Sequence, residues 1–141
     1  MMHNRTKSCA ISKMTKLIVY TRDNQRCIFC GRKGLPEAHV VPRSHGGLGV
    51  PQNIVTVCRK CHDLMDNSTQ RQQMLETARA YLKDYYPDIS QSDVIYQKWD
   101  KDKAKRLIQM AEPRNKVALQ ELKDQICEID KGKPPQGFEW I

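Results

Sequence analysis

Two Cys-x-x-Cys pairs, Cys27-Ile28-Phe29-Cys30 and Cys58-Arg59-Lys60-Cys61, constrain this chain more than any other feature. Each pair lets one turn of backbone offer two sulfurs to a single tetrahedral ion, and four thiolates close the coordination sphere of zinc. Such a site has no position left for water or substrate, so the Zn²⁺ is structural and its binding energy counts towards folding. It ties the turn at Cys27 and Cys30 to the start of the helix expected after Cys58, and the chain between must double back. A redox motif is the rival reading, disfavoured because neither pair sits in a thioredoxin-like context. Cys9 and Cys127 complete the six cysteines and read as unpaired or partly buried thiols.

With 141 residues the chain has the size of one domain with one modest core. Its net charge of +8 and pI near 9.3 favour a polyanionic partner. The excess is uneven: from Met1 to Arg26 the bases Arg5, Lys7, Lys13, Lys16, Arg22 and Arg26 face only Asp23. No apolar run is long enough to span a bilayer, and Met1 to Lys16 carries no secretory segment, so a soluble, cytoplasmic protein without a membrane partner is expected.

Along the chain, residues 1–15 are polar and basic without an apolar period and read as a flexible arm. Lys16 to Tyr20 fits a strand or a helical turn. Glu37 to Val41 reads as a strand that Pro42 ends. Arg43 to Asn53, with Gly46, Gly47, Gly49 and Pro51, reads as a loop bent around a site. Ile54 to Val57, all β-branched, reads as a second strand that delivers the chain into Cys58, and a short helix should follow Cys61 to Asp66. Asn67 and Ser68 can cap the next helix, Thr69 to Tyr86, whose stripe is Leu75, Ala78, Leu82 and Tyr85. Ser90 and Asp93 have the spacing of a capping box, so a helical piece is expected over Val94 to Trp99. Residues 100–141 read as a helical extension. Ala104, Leu107, Ile108 and Ala111 form one face before Pro113; Leu119, Leu122, Ile126 and Ile129 form one after it. That second stripe suits packing within the chain or, being heptad-like, a homodimer seam. Pro134 and Pro135 stop the pattern, and Phe138 and Trp140 are expected to dock on the fold or a partner.

Between the cysteine pairs lie Glu37-Ala38-His39-Val40-Val41-Pro42-Arg43-Ser44-His45-Gly46-Gly47 and then Asn53-Ile54-Val55-Thr56-Val57-Cys58-Arg59-Lys60-Cys61-His62. In this order of His, Gly-Gly, Asn and Cys-x-x-Cys-His the chain resembles the HNH endonuclease family, particularly its small phage-type, zinc-binding members. The lead-in Val19-Tyr20-Thr21-Arg22-Asp23 is also similar, and the likeness runs from about Lys16 to Trp99. The resemblance implies an α+β fold: a ββα-metal (His-Me finger) nuclease core over 16–99 with a four-cysteine zinc site, to which C-terminal helices are added.

It also implies roles. His39, on the first strand, would be the general base; Asn53, at the end of the loop, would position it; His62, at the start of the helix, would bind a catalytic Mg²⁺ or Mn²⁺. The chemistry suits them. A phosphodiester repels nucleophiles, so a base must take a proton from water while a cation neutralises charge on the phosphate and the departing oxygen. Asn53 can hydrogen-bond backbone near His39 without adding charge. Taken singly, each has a blander reading: His39 a half-buried strand histidine, Asn53 a turn residue, His62 a spare zinc ligand. One departure stands out. Where the family places an aspartate or histidine ligand just before the general base, this chain has Ala38, leaving Glu37, His45, water or substrate phosphate to complete the ion's shell. Arg22, Arg26, Arg32, Lys33, Arg43, Arg59 and Lys60 crowd the same segments, and some of them are expected to grip phosphates. Two functions follow from the resemblance: a divalent-metal-dependent endonuclease on double-stranded DNA, or a zinc-stabilised DNA-binding module with an inactive site. An RNA nuclease would share the same residues.

Overall fold

The computed structural model describes residues 4–112 and 116–130. In chain order these form α1 (Asn4–Cys9), α2 (Lys13–Arg22), β1 (Leu35–His39), a 3₁₀ turn (Arg43–His45), β2 (Ile54–Val57), α3 (Arg59–Asn67), α4 (Arg71–Tyr85), a 3₁₀ turn (Gln91–Val94), α5 (Lys103–Ala111) and α6 (Lys116–Asp130). The fold is α+β, with an antiparallel hairpin running into a helix at its centre. Among the described residues no helix is long and apolar enough to cross a membrane. The ends of the expected pattern, Pro134, Pro135, Phe138 and Trp140, lie outside the described residues, as does the side chain of Cys127.

The hairpin pairs Leu35 with Val57, Ala38 with Val55 and His39 with Ile54, and the register slips between Leu35 and Ala38. Pro36 lies in that interval and has no N–H to give a ladder. β1 therefore alternates: Pro36 and Ala38 are buried, Glu37 and His39 turn to the other side. β2 is buried throughout because both faces are covered. α2 packs on the hairpin, while Val55, Val57, Ala38 and Val40 form a core with Met65 of α3 and Leu75, Ala78 and Leu82 of α4. This explains a strand whose four residues are all β-branched rather than alternating.

Tertiary packing overrides the local pattern near the N-terminus. Lys16 to Tyr20 belongs to helix α2, which Ser12 caps by accepting from the Thr15 N–H at 3.2 Å. Within the span read as a flexible arm, residues 4–9 form α1 and Cys9 and Thr15 are buried. The order comes from contacts with the distant 43–49 loop, to which a sequence period is blind. Ser68 acts at both ends of the α3–α4 junction, closing α3 and accepting from the Gln70 N–H at 3.1 Å. The Ser90–Asp93 box is present, but it heads a single 3₁₀ turn, because Ile95 leaves the helical region to bridge Gly47. The stripe of α5 is spent inside the chain, Leu107 packing on Val41, Leu48 and Val50, and Ile108 and Ala111 on Leu17, Ile18 and Tyr20. Helix α6 also lies against α2.

Arg22 differs most from its expected role. Its side chain is 5% exposed and that of Asp23 0%. The guanidinium donates to Asp23 Oδ1 and Oδ2 at 2.8 and 3.1 Å, and to the carbonyls of Pro51 and Ile54 at 2.8 and 2.7 Å. It lies 5.6 to 5.9 Å from the ring centres of Tyr81, Tyr85 and Tyr86. Asp23 also accepts from the Thr56 N–H at 2.9 Å and the Tyr81 hydroxyl at 2.6 Å. Burial alone would lower the pKa of Arg22, but the Asp23 carboxylate outweighs it and raises it. Arg22 is thus an internal brace, unavailable to a phosphate. Arg26, Arg32, Lys33, Arg43, Arg59 and Lys60 are exposed.

Candidate active site

The four sulfurs of Cys27, Cys30, Cys58 and Cys61 lie within 4.8 Å of one another and could hold a metal ion. A tetrahedral ion with sulfurs at about 2.3 Å sets them about 3.8 Å apart, so the cluster is close to closed around one ion. The Cys30 and Cys58 sulfurs are 3.5 Å apart, and the Cys61 N–H donates to Cys58 Sγ at 3.4 Å across the helix start. Desolvation acts to raise the Cys58 thiol, but the Cys61 N–H and the neighbouring thiols prevail and bring it down to about 7. Burial and the same neighbours push Cys61 up. A cation would give all four sulfurs a partner, which is the chemistry of a metal site.

The knuckle fixes the start of α3, and with it His62, one residue after Cys61. His62 faces a cleft of about 410 Å³ that β1, the 3₁₀ turn, α3 and α4 enclose. His39 and Glu37, on one side of β1 by strand alternation, line the same cleft, as do Arg43, Asp66 and Arg71. The sequence-predicted histidines are therefore brought together. His45 does not line the cleft, and Ala38 is 1% exposed in the core beneath the hairpin.

Both imidazoles are held by one nitrogen, and in each case the partner decides the proton. His39 Nε2 lies 2.8 Å from the Cys9 carbonyl oxygen. A carbonyl can only accept, so Nε2 carries the hydrogen and Nδ1 keeps its lone pair. His62 Nδ1 lies 3.0 Å from Asp66 Oδ2, one helical turn on; a carboxylate accepts, so Nδ1 carries a hydrogen, and in the neutral ring Nε2 is the acceptor. Burial lowers the pKa of His39 against the pull of the Cys9 carbonyl, with Arg43 and His62 adding to the depression. The ring is a neutral acceptor near pH 7.

Asn53 is buried at 1% exposure and acts on the backbone just beyond His39. Its Oδ1 accepts from the Val41 N–H at 2.8 Å, and its Nδ2 donates to the carbonyls of Val41 at 3.2 Å and Leu48 at 2.9 Å. The carboxamide thus ties the exit of β1 to the returning loop. Gly47 makes this approach possible, since a Cβ there would stand 1.7 Å from the Val41 carbonyl oxygen.

Three contributors escape motif reading. Asp66 was visible only as an i, i+4 partner of His62; Arg71 reaches the cleft from α4; and the Cys9 carbonyl, being backbone, has no side-chain signature. Among the described residues, the four cysteines are the one group of three or more such ligands close enough to hold an ion. The groups of the cleft that could offer a donor to a further ion are His62 Nε2 and the carboxylates of Glu37 and Asp66. This sparse set suits a hydrated hard cation that takes its remaining ligands from water and phosphate.

No curated protein and no solved structure matches the chain. Residues 27–74 match the family model described as HNH endonuclease. That span holds both cysteine pairs, the hairpin, its loop, α3 and the first residues of α4, so it is the ββα segment of this chain that is similar to the HNH endonuclease family.

Proposed function

We propose that the protein is a divalent-metal-dependent endonuclease that hydrolyses phosphodiester bonds of double-stranded DNA, with Zn²⁺ on the four cysteines as a structural ion. The observation that carries this reading is the shared cleft, with two histidines each pinned at one nitrogen and free at the other. His39 Nδ1 accepts the proton of the attacking water as its oxygen bonds to phosphorus. The P–O bond to the departing sugar oxygen breaks, and that oxygen leaves with a proton from solvent. Asn53 keeps the backbone after His39 in place, and Asp66 orients His62. A Mg²⁺ or Mn²⁺ ion held by His62 Nε2, water and the phosphate would supply the positive charge this displacement needs. Arg43 and Arg71 flank the cleft with charge suited to neighbouring phosphates.

Purified protein with supercoiled plasmid and Mg²⁺ or Mn²⁺ should yield open-circular or linear DNA. His39→Ala should abolish cutting while DNA is still retarded on a gel. Retardation without cutting by the unaltered protein, under either ion, would instead support a zinc-stabilised binding module with an inactive site.

A further inference from the structure

The family match begins at residue 27, yet the atom that fixes the proton on His39 belongs to residue 9. Around that contact the N-terminal segment is strapped to the 43–49 loop at several points. The Gly49 N–H donates to the Ser8 carbonyl at 3.1 Å, and the Thr15 hydroxyl donates to the Gly49 carbonyl at 3.0 Å. Arg5 Nη2 donates to the Ser44 carbonyl at 3.1 Å. Cys9 is 2% exposed, and Gly49 passes so close that a Cβ on it would lie 2.2 Å from the Ala10 carbonyl oxygen and 2.9 Å from that of Cys9. Nothing in a flexible tail requires such a fit.

We infer that the turn leaving α1, through the Cys9 carbonyl, is a positioning element of the active site that locks His39 in its Nε2–H tautomer. The inference rests on the nuclease reading for its consequence in catalysis, though not for its structural content. Within the ββα segment, β1 delivers the His39 ring and the Asn53 carboxamide secures the backbone beyond it. Neither chooses between the two neutral forms of the imidazole. The nearly isoenergetic tautomers of a free ring would leave the lone pair on Nδ1 only part of the time. The acceptor from α1 removes that ambiguity and fixes the ring plane, so the segment upstream of the matched domain is a working part of it.

The test uses the full chain in two forms. In Gly49→Ala, the new methyl group displaces the Cys9–Ala10 backbone. In the second, a semisynthetic chain, Ala10 is replaced by lactic acid, which keeps every side chain but turns the Cys9 carbonyl into an ester, a much weaker acceptor; it also removes the Ala10 N–H bond to Thr6. Long-range ¹H–¹⁵N spectra of the histidine rings report the tautomer directly, with His39 signals assigned by their loss in His39→Gln. The unaltered protein should show His39 as Nε2–H. The ester form should show a mixture, and its single-turnover cleavage rate should fall at least about twofold, as the share of Nε2–H rings falls, with DNA affinity and zinc content unchanged. Gly49→Ala should behave alike; should it lose zinc, the ester form alone decides. Unchanged Nε2–H signals in the ester form, or a mixture already present in the unaltered protein, overturns the inference. A tautomer shift in a protein that cuts no DNA upholds the positioning and removes the nuclease reading instead.

Discussion

Arg22→Met tests how far the site depends on buried charge. The guanidinium makes four hydrogen bonds of 2.7 to 3.1 Å with its own neighbours, two to Asp23 and two to the carbonyls of Pro51 and Ile54, which bracket Asn53. Methionine can fill the space among the tyrosines, but it leaves Asp23 a buried anion with only the Thr56 N–H and the Tyr81 hydroxyl as donors. Breaking a buried pair from one side costs about 3 to 5 kcal/mol. At about 2.1 cal/mol/K per residue, the unfolding entropy of 141 residues is about 0.3 kcal/mol/K, so a loss of about 4 kcal/mol lowers Tm by roughly 13 °C. Thermal melts followed by circular dichroism should be run at saturating zinc, to hold the contribution of metal binding fixed. Removing both charges, in Arg22→Met with Asp23→Asn, should cost less than the sum of the single losses by about 2 kcal/mol. A fall in Tm of less than about 3 °C for Arg22→Met, with no coupling, would refute the brace.

Ala38→Asp restores the residue type the family places before its general base, yet the side chain points among Cys27, Val40, Val55 and Val57. It should destabilise the fold by at least about 3 kcal/mol in urea titrations and leave the nicking rate no higher; a gain in rate would show that this position reaches the ion. On the nuclease reading proposed above, the lowered pKa of His39 sets the acid limb of cleavage. The working form is the neutral ring, so activity is lost as pH falls through that pKa, and the midpoint in single-turnover rates should lie below about 6.5, the ordinary histidine value. In stability the sign is the same: the unfolded chain binds the proton more readily, so His39 favours folding above about pH 6.5 and that contribution fades as pH drops.

Much of the centre was legible from residue type and spacing. Cys27, Cys30, Cys58 and Cys61 announced themselves because metal geometry imposes a local spacing, whereas His39, Asn53 and His62 were singled out only by the resemblance; the structure puts the two histidines on one cleft and Asn53 on the backbone beyond His39. What could not be read involves partners far apart in sequence. Arg22 looked like one more base in a basic stretch, since nothing local says that Tyr81, Tyr85 and Tyr86 will enclose it. Residues 4–15 looked like a solvated arm because their order comes from the 43–49 loop. Ala38 looked like a missing ligand at the site, whereas the bulge at Pro36 and the strand's alternation turn it into the core.

The division of labour between the two histidines is the centre of the account, and Mn²⁺ binding followed by electron paramagnetic resonance, on zinc-loaded protein with a DNA duplex present, tests it most directly. His39→Ala should bind Mn²⁺ as the unaltered protein does and yet leave the DNA intact, whereas His62→Ala should lose both the bound Mn²⁺ and the cleavage. Full Mn²⁺ binding by His62→Ala, or cleavage by His39→Ala at the unaltered rate, would contradict it.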